Sequence, residues 1–555
     1  MQSSSFRFAR SACTTFLIST SFLSIAEGSS SRPSCCFNYL YPLHNSSQRT
    51  GTDSALESRF TDPCTRQEIR SSSTRTRTNP QVKSGSTTTS SSALTMNLDP
   101  TKPSSNALDP RTTSTSTQDN NNINVITTEN EHDDSVEKSD EQIHTHYIFL
   151  IHGWLGNSSE MSYIETSINQ AAVVAAKNGN PNARIVTHCA KSNDKRTTDG
   201  ISHGGTRLAD EILEFITNDA KKHFSEEPGE REREHEHHVS ISFVGNSLGG
   251  LYGRYALSKL PTQLCLYFES DDDDEGNKSS PKSQSSIILH REIFATTATP
   301  HLGCASHTFV SIPRVLEQVI GRTLKDTGKD LFRIDSDDLI YQMCTDYELY
   351  LKPLSLFRKR IAYVNAFRTD FQVPTGTAAF LSRHSTYPHS IQCVDEESDH
   401  PYPPFIVAVA NTDVNHDILR EENPVQGKKH AMSVKLDASG WEKVFVDVRD
   451  YIPTPGFALP SFMKKNSRSR WNQFITSKGV KGVGDGDGDD EKLKLVQVQS
   501  RELEKLMKGS DRFEIPVGHQ VMVANSKSEA YSSFTKGGRP VMDHMAQQMV
   551  KILLQ

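Results

Sequence analysis

The chain has 555 residues, a formal net charge of −7 and 23% charged residues. With a pI near 6.3, the chain lacks the excess of basic residues typical of nucleic-acid-binding proteins, so no nucleic-acid partner is expected. Mean hydropathy is −0.55, and the sequence has no apolar run of the length needed for a transmembrane helix, which argues against a membrane span.

Residues 1–28 have the composition of a targeting segment. Arg7 and Arg10 precede a moderately apolar stretch from Ala12 to Ala26, and acidic residues are rare. This pattern fits a secretory signal and an organellar transit peptide equally. A disordered tail with a chance apolar patch is the alternative, and it would imply a cytoplasmic protein with peripheral membrane contact. The compartment therefore stays open.

Residues 29–140 are crowded with Ser, Thr, Asn and Pro. Such a composition buries too little apolar surface to offset the entropy lost on ordering, so this region is predicted to be disordered. The chain has 9 cysteines, scattered and without a CxxC pair. They indicate buried free thiols rather than a disulfide scaffold or a metal site.

From residue 141 to residue 555 the pattern predicts one folded domain. Short apolar runs, typical of strands buried on both faces, occur at 146–153, 183–190, 239–245, 292–300, 360–367 and 441–448. Helices are predicted at 162–179, 204–224, 247–260 and 539–555. This alternation predicts an α/β fold, a mostly parallel central sheet with helices on both faces. Polar insertions near 270–286 and 477–492 are predicted as surface loops, and the charged run 226–238 as a third loop or a frayed helix end.

The stretch Gly245-Asn246-Ser247-Leu248-Gly249 matches the Gly-x-Ser-x-Gly pattern of a nucleophile elbow. A predicted strand precedes it and a predicted helix follows it, which is the context that the motif requires. Ser247 is therefore the candidate nucleophile, with the N–H groups of Leu248 and Trp154 as oxyanion donors. Trp154 lies in "LIHGWLGN", directly after the first strong strand. The alternative for that loop is a glycine-rich turn with a structural histidine at His152.

Several blocks of the sequence resemble the lipase-like serine esterases of the α/β-hydrolase superfamily, a family defined as a domain of unknown function. These blocks are "TTDGISHGGTRLADEI", "ATTATPHLG", "IGRTLKDTGKDLF", "FRKRIAYVNAFRTDFQVPTGTAA" and "GRPVMDHMAQQMV". The resemblance runs from about residue 143 to the end of the chain, interrupted by the insertions. It implies an α/β-hydrolase fold and a catalytic triad in the order serine, acid, histidine.

The resemblance implies Asp370 as the acid, since "RTDFQVP" corresponds to the acid-bearing segment of the family. Asp395 and Asp413 are rivals in the less regular region that follows. His519, in "RFEIPVGHQVMV", matches the position of the catalytic histidine.

Other histidines have simpler interpretations. His301 and His544 are expected to have packing roles. The cluster at His235, His237 and His238 is expected to be solvated in a charged loop rather than to bind metal.

The resemblance also implies a reaction: hydrolysis of lipid esters, either glycerolipid or phospholipid, through an acyl-enzyme that needs no cofactor. Segment 304–358 contains amphipathic stretches that could cap the site, or that pack as ordinary helices. Contact with a membrane or lipid-droplet surface is a further expectation. Two alternatives stay open, an acyltransferase that uses the same triad and a non-catalytic interaction module on the same fold.

Overall fold

The computed structural model describes residues 145–177, 183–224, 236–267, 284–309, 311–367, 369–392, 402–421, 427–451, 474, 477, 495–508 and 518–555. The predicted targeting segment 1–28 and the predicted disordered region 29–140 lie outside the described residues. So do most of the predicted insertions near 270–286 and 477–492.

In the described part of the chain, ten strands form one sheet in the order β10-β7-β8-β9-β6-β5-β3-β1-β2, with β4 paired to β5 beside this path. Their bounds are β1 Thr145–Ile151, β2 Arg184–Cys189, β3 Glu236–Asn246, β4 Gln263–Tyr267, β5 Gln284–Thr297, β6 Lys359–Asn365, β7 Pro388–Gln392, β8 Ile406–Asn411, β9 Glu442–Val446 and β10 Leu495–Gln499. Strands β2, β1, β3, β5, β6 and β9 run parallel to one another. The other four pair antiparallel at the margins.

Helices connect the parallel strands. They are α1 Ser162–Lys177, α2 Ile201–Phe224, α3 Leu248–Ala256, α4 Arg314–Thr323, α5 Lys325–Leu331, α6 Leu339–Thr345, α7 Lys352–Ser355, α8 Thr375–Ala378, α9 His416–Arg420, α10 Lys428–Asp437, α11 Ser500–Lys508, α12 Gly518–Met522, α13 Glu529–Thr535 and α14 Arg539–Leu553. A π-helix spans Tyr347–Leu351, and 3₁₀ turns span Ser158–Met161, Arg449–Tyr451 and Lys536–Gly538. No described helix has the length and apolar character needed to span a bilayer.

Both faces of the sheet carry helices. On one face, Phe215 of α2 packs edge-on against Phe149 of β1, with ring centroids 5.8 Å apart. The strand register places Phe294 of β5 on the same face as Phe149. Tyr363 of β6 points to the opposite face. Phe294 is in register with Arg360, and side chains three positions apart on a strand lie on opposite faces of the sheet. There the Tyr363 hydroxyl lies 3.0 Å from Nδ1 of His544 in α14, against which α1 packs.

The predicted fold class is therefore confirmed, and each of the six predicted strands and four predicted helices has a counterpart. Strands β4, β7, β8 and β10 were not predicted. Strands β7 and β10, with the sequences "PHSIQ" and "LVQVQ", are short and half polar, so their strand character depends on pairing with each other rather than on a strong local signal.

Two predicted loops end earlier than expected. Residues 284–286 belong to β5, where they pair with β4, and residues 236–238 begin β3. The prediction of a charged loop for His237 and His238 was therefore wrong. His238 lies in the sheet, with Nδ1 2.8 Å from Nε2 of His290 on the neighbouring strand.

Candidate active site

Ser247 occupies the one-residue turn between β3 and α3. Its backbone has φ 53° and ψ −120°, a positive-φ conformation that non-glycine residues rarely adopt. The turn is tight because α3 runs close to the end of β1. A Cβ at Gly249 would lie 2.3 Å from the carbonyl oxygen of Ile151, so no side chain fits there. The local geometry is that of a nucleophile elbow, with strand, strained serine and helix in sequence.

The loop after β1 approaches the same serine. A Cβ at Gly153 would lie 2.9 Å from Cβ of Ser247, so a glycine is needed for the backbone to come this close. Among the described residues, the backbone N–H groups of Trp154 and Leu248 donate no hydrogen bond. The N–H of Ser247, in contrast, donates to the carbonyl of Thr297 at 2.8 Å. The two predicted oxyanion donors are thus unengaged groups on the two segments that meet at Ser247.

Asp370 and His519 are in direct contact, although 149 positions separate them in the chain. Oδ2 of Asp370 lies 2.8 Å from Nδ1 of His519, and the two residues are only 1% and 3% exposed. The N–H of Gly518 donates to the carbonyl of Thr369 at 2.8 Å, which ties the start of α12 to the acid loop. With the Nδ1 proton directed at the carboxylate, Nε2 of His519 is the nitrogen left to accept a proton.

The carboxylate of Asp370 is held at both oxygens. Oδ1 accepts hydrogen bonds from the backbone N–H groups of Gln372 at 2.9 Å and Val373 at 2.8 Å. Oδ2 accepts a third from Nδ2 of Asn365 at 3.0 Å, in addition to its contact with His519. These contacts fix the orientation of the carboxylate, and the carboxylate in turn orients the imidazole of His519.

Sheet topology places these groups at one edge. Ser247 follows β3 and Asp370 follows β6, and both strands are parallel with β5 between them. Two hydrogen bonds join the end of β5 to its neighbours. The N–H of Ser247 donates to the carbonyl of Thr297, and the N–H of Ala298 donates to the carbonyl of Tyr363. No hydrogen bond joins Ser247 Oγ to His519 within the described residues. Contacts between a nucleophile and its base commonly tighten only when substrate binds.

The rival residues have other surroundings. Asp413 is exposed, and its backbone carbonyl accepts a hydrogen bond from the Tyr387 hydroxyl at 2.9 Å. Asp395 lies outside the described residues. His301 is fully buried against Phe380 and Trp441, and burial lowers its pKa well below the usual value. These environments are those of packing residues, as expected for His301, and the same holds for His544 in its contact with Tyr363.

The histidine of the β1 loop is also buried. His152 is 1% exposed, and burial lowers its pKa. Its Nδ1 lies 3.0 Å from the carbonyl oxygen of Gly153, and its Nε2 lies 3.0 Å from Oδ1 of Asp194. Asp194 also accepts from the N–H of Ser158 at 2.9 Å. His152 and Asp194 therefore order the loop that carries the Trp154 amide.

Sequence reasoning missed two polar residues of this region, Asn365 and Glu160. Asn365 ends β6, and a polar residue at the carboxyl end of a buried parallel strand is a usable signal for it. Glu160 lies three positions after Asn157, the spacing of a helix-capping pair. The sequence therefore suggests a capping role for Glu160 and no other. Its side chain is buried beside the loop that carries Trp154.

Comparison with known proteins agrees with this geometry. Residues 141–382 match the family described as "Putative serine esterase (DUF676)". The predicted family resemblance is confirmed. The matched region includes Ser247 and Asp370 and ends before His519.

Two yeast proteins are similar in sequence. The Saccharomyces cerevisiae "Putative lipase YDL109C" is 26% identical over 239 residues, which is 43% of this chain and 30% of that protein. "Putative lipase ROG1" of the same yeast is 26% identical over 278 residues, 50% of this chain and 34% of that protein. The chain therefore spans about a third of the length of these relatives.

Two solved structures show distant likeness. Phospholipase PlaB from Legionella pneumophila, in complex with thio-NAD, is 11% identical with a TM-score of 0.22, covering 40% of this chain and 38% of that one. The peroxisomal alpha-beta-hydrolase Lpx1 from Saccharomyces cerevisiae is 12% identical with a TM-score of 0.22, covering 42% of this chain and 66% of that one. The fold assignment rests on the sheet topology itself.

Proposed function

We propose that the chain is a serine hydrolase that cleaves carboxylic esters through an acyl-enzyme, with Ser247 as nucleophile, His519 as general base and Asp370 as the orienting acid. The observation that supports this most is the buried contact between Asp370 and His519, at the same sheet edge as a strained serine turn. Two sequence segments far apart in the chain would have no other evident reason to meet here with these residue types.

In this mechanism His519 removes the proton from Ser247 as the hydroxyl attacks the ester carbonyl. Negative charge then develops on the carbonyl oxygen, and the N–H groups of Trp154 and Leu248 stabilise it. The proton on His519 passes to the leaving alkoxide, and water attacks the acyl-serine in a second round of the same chemistry. Asp370 holds the imidazole in the tautomer that accepts at Nε2 and stabilises the imidazolium.

We propose lipid esters, of glycerolipid or phospholipid type, as the substrate class. Both yeast relatives carry the name "Putative lipase", which supports this class for the matched region. Helix α4, in the segment between β5 and β6, exposes Val315 at 72% and Val319 at 50%. That segment contacts the acid loop, since the rings of Phe309 and Phe371 lie 5.6 Å apart. Exposed apolar side chains on a segment that contacts the acid loop favour acyl chains, or a lipid surface, as the partner.

Hydrolysis of a soluble p-nitrophenyl ester and of monoacylglycerol or phospholipid vesicles by the full chain tests this proposal. Activity is expected to fall by about 10⁶-fold in Ser247→Ala, since loss of a triad nucleophile has an effect of this order. Faster turnover of the vesicles would support the lipid class. Activity that survives in Ser247→Ala would refute the assigned nucleophile, and transfer of the acyl group to an added alcohol in place of hydrolysis would identify an acyltransferase.

A further inference from the structure

Glu160 is a buried carboxylate beside the proposed active site that the triad mechanism does not use. It lies in the 3₁₀ turn Ser158–Met161 and is 7% exposed. Burial raises its pKa to about 7. A buried carboxyl group is costly, so a specific arrangement of partners is expected around it.

One side of Glu160 supports the loop that carries the Trp154 amide. Its Oε2 packs directly on the backbone of Gly156, where an added Cβ would lie only 2.3 Å away. The N–H of Gly156 donates to the carbonyl of Gly153 at 3.2 Å, and Gly153 is the residue that abuts Ser247. A change at the carboxylate is therefore three contacts away from the nucleophile, through Gly156 and Gly153.

The other side of Glu160 faces the segment that follows His519. The buried side chain of Asn525, which is 1% exposed, favours the ionised form of Glu160 from this side. Nδ2 of Asn525 donates to Oε1 of Gln520, the residue next to His519, at 2.9 Å. Nζ of Lys527 reaches back to the carbonyl of Leu155 at 3.4 Å. The Lys527 bond joins the loop after α12 directly to the loop after β1, beside the carboxylate of Glu160.

The charges around Glu160 act in opposite directions. Lys527 and His519 favour its ionised form, and Asp194 disfavours it. The capping role suggested by the sequence does not occupy the side chain, since Glu160 makes no described side-chain bond to the N–H of Asn157. The cap at this turn is made by Asn157 itself, which accepts from the N–H of Ser159 at 3.0 Å.

We propose that Glu160 is a positioning residue, which in its ionised form holds the Trp154 amide and the imidazole of His519 in register for attack by Ser247. This inference rests on the proposed function. Because the carboxylate is buried, the interaction should favour activity and oppose stability, the balance often found for groups kept for function.

The neutral isostere Glu160→Gln separates this role from a merely structural one. Wild type, Glu160→Gln, Ser247→Ala and the control Glu214→Gln, an exposed residue on α2, would be compared as full chains. The measurements are the rate of Ser247 phosphonylation by a fluorophosphonate, and the thermal unfolding midpoint, each between pH 5 and pH 9.

At pH 8 Glu160→Gln is expected to react at least about tenfold more slowly than wild type, and this difference should shrink below pH 7 as Glu160 protonates in wild type. Its unfolding midpoint should lie above that of wild type. That gap should grow between about pH 5 and pH 7 and stay constant above, because the folded state gives up the proton at a higher pH than the unfolded state. Glu214→Gln should match wild type in both.

Two results would overturn the inference. Glu160→Gln could react at the wild-type rate at pH 8, or it could lose reactivity and stability together at every pH, as a purely structural residue would. An unreactive wild type would remove the proposed function and this inference with it. A reactive wild type with an unaffected Glu160→Gln would remove the inference alone.

Discussion

Replacement of Asp370 by asparagine has an outcome that the hydrogen bonds of the site determine. The Oδ1 position faces two backbone N–H donors, from Gln372 and Val373. An amide NH₂ placed there would oppose both donors, so the amide oxygen takes this position and the NH₂ turns toward Nδ1 of His519. Asn365 can adapt by rotating its own amide, because its Oδ1 is buried without a partner.

The consequence falls on the histidine. With a donor in front of it, Nδ1 of His519 must become the acceptor, and the proton moves to Nε2, the nitrogen that should receive the proton of Ser247. The wrong tautomer in a serine triad lowers turnover by about 10⁴-fold, or about 5 kcal/mol in the activation barrier. Stability should change little, since the asparagine keeps the bonds to both backbone N–H groups.

Steady-state hydrolysis of a p-nitrophenyl ester measures the effect, with urea unfolding as the check on stability. Asp413→Asn is the matched control, because Asp413 is the exposed rival acid and should leave kcat/KM unchanged. A loss below about tenfold in a folded Asp370→Asn protein would refute the reasoning. So would a large loss in Asp413→Asn.

Three further predictions concern stability. Gly249→Ala should cost about 2 kcal/mol or more, because its Cβ would lie 2.3 Å from a carbonyl oxygen of β1; Gly427→Ala, with nothing within 4 Å, is its control in urea unfolding. Lys443→Met should lower the free energy of unfolding by about 3–5 kcal/mol, because the buried carboxylate of Asp437 loses its ion-pair partner. The double variant with Asp437→Leu should recover most of that stability. Burial raises the pKa of Asp330 to about 6, so the free energy of unfolding of the wild type should fall by up to about 3 kcal/mol as pH rises from 4 to 6. Asp330→Asn should flatten this pH dependence. The same pH profile in Asp330→Asn and wild type would contradict the prediction.

The parallel part of the fold could be predicted because its strands are short, continuous apolar runs between amphipathic helices. Strand β3 and helix α3 were recognisable for this reason, and with them the serine turn. Strands β7 and β10 were not predictable in the same way, because both are short and half polar and gain strand character from their pairing with each other. The start of β3 at Glu236 was hidden by a run of charged residues that reads as a loop.

The residues of the candidate site also differ in how far the local sequence predicts them. Ser247 has a local sequence signature, whereas Asp370 and His519 were assigned through family resemblance, because no local pattern links residues 149 positions apart. The supporting groups were harder still. Asn365 contacts Asp370 five positions away, and only its place at the end of a buried strand marks it. For Glu160 the local sequence suggests a different role. The hydrophobic periodicity of the sequence predicts helices and strands, but it says much less about which loops contact each other.

Peptide mapping by mass spectrometry after fluorophosphonate labelling of the full chain tests the central claim most directly. Wild type is expected to carry one phosphonyl group on the peptide that contains Ser247, and a lipid ester should compete with the label. Ser247→Ala should remain unlabelled under the same conditions. Label on a different residue, or undiminished labelling in Ser247→Ala, would contradict the assignment of Ser247 as the nucleophile.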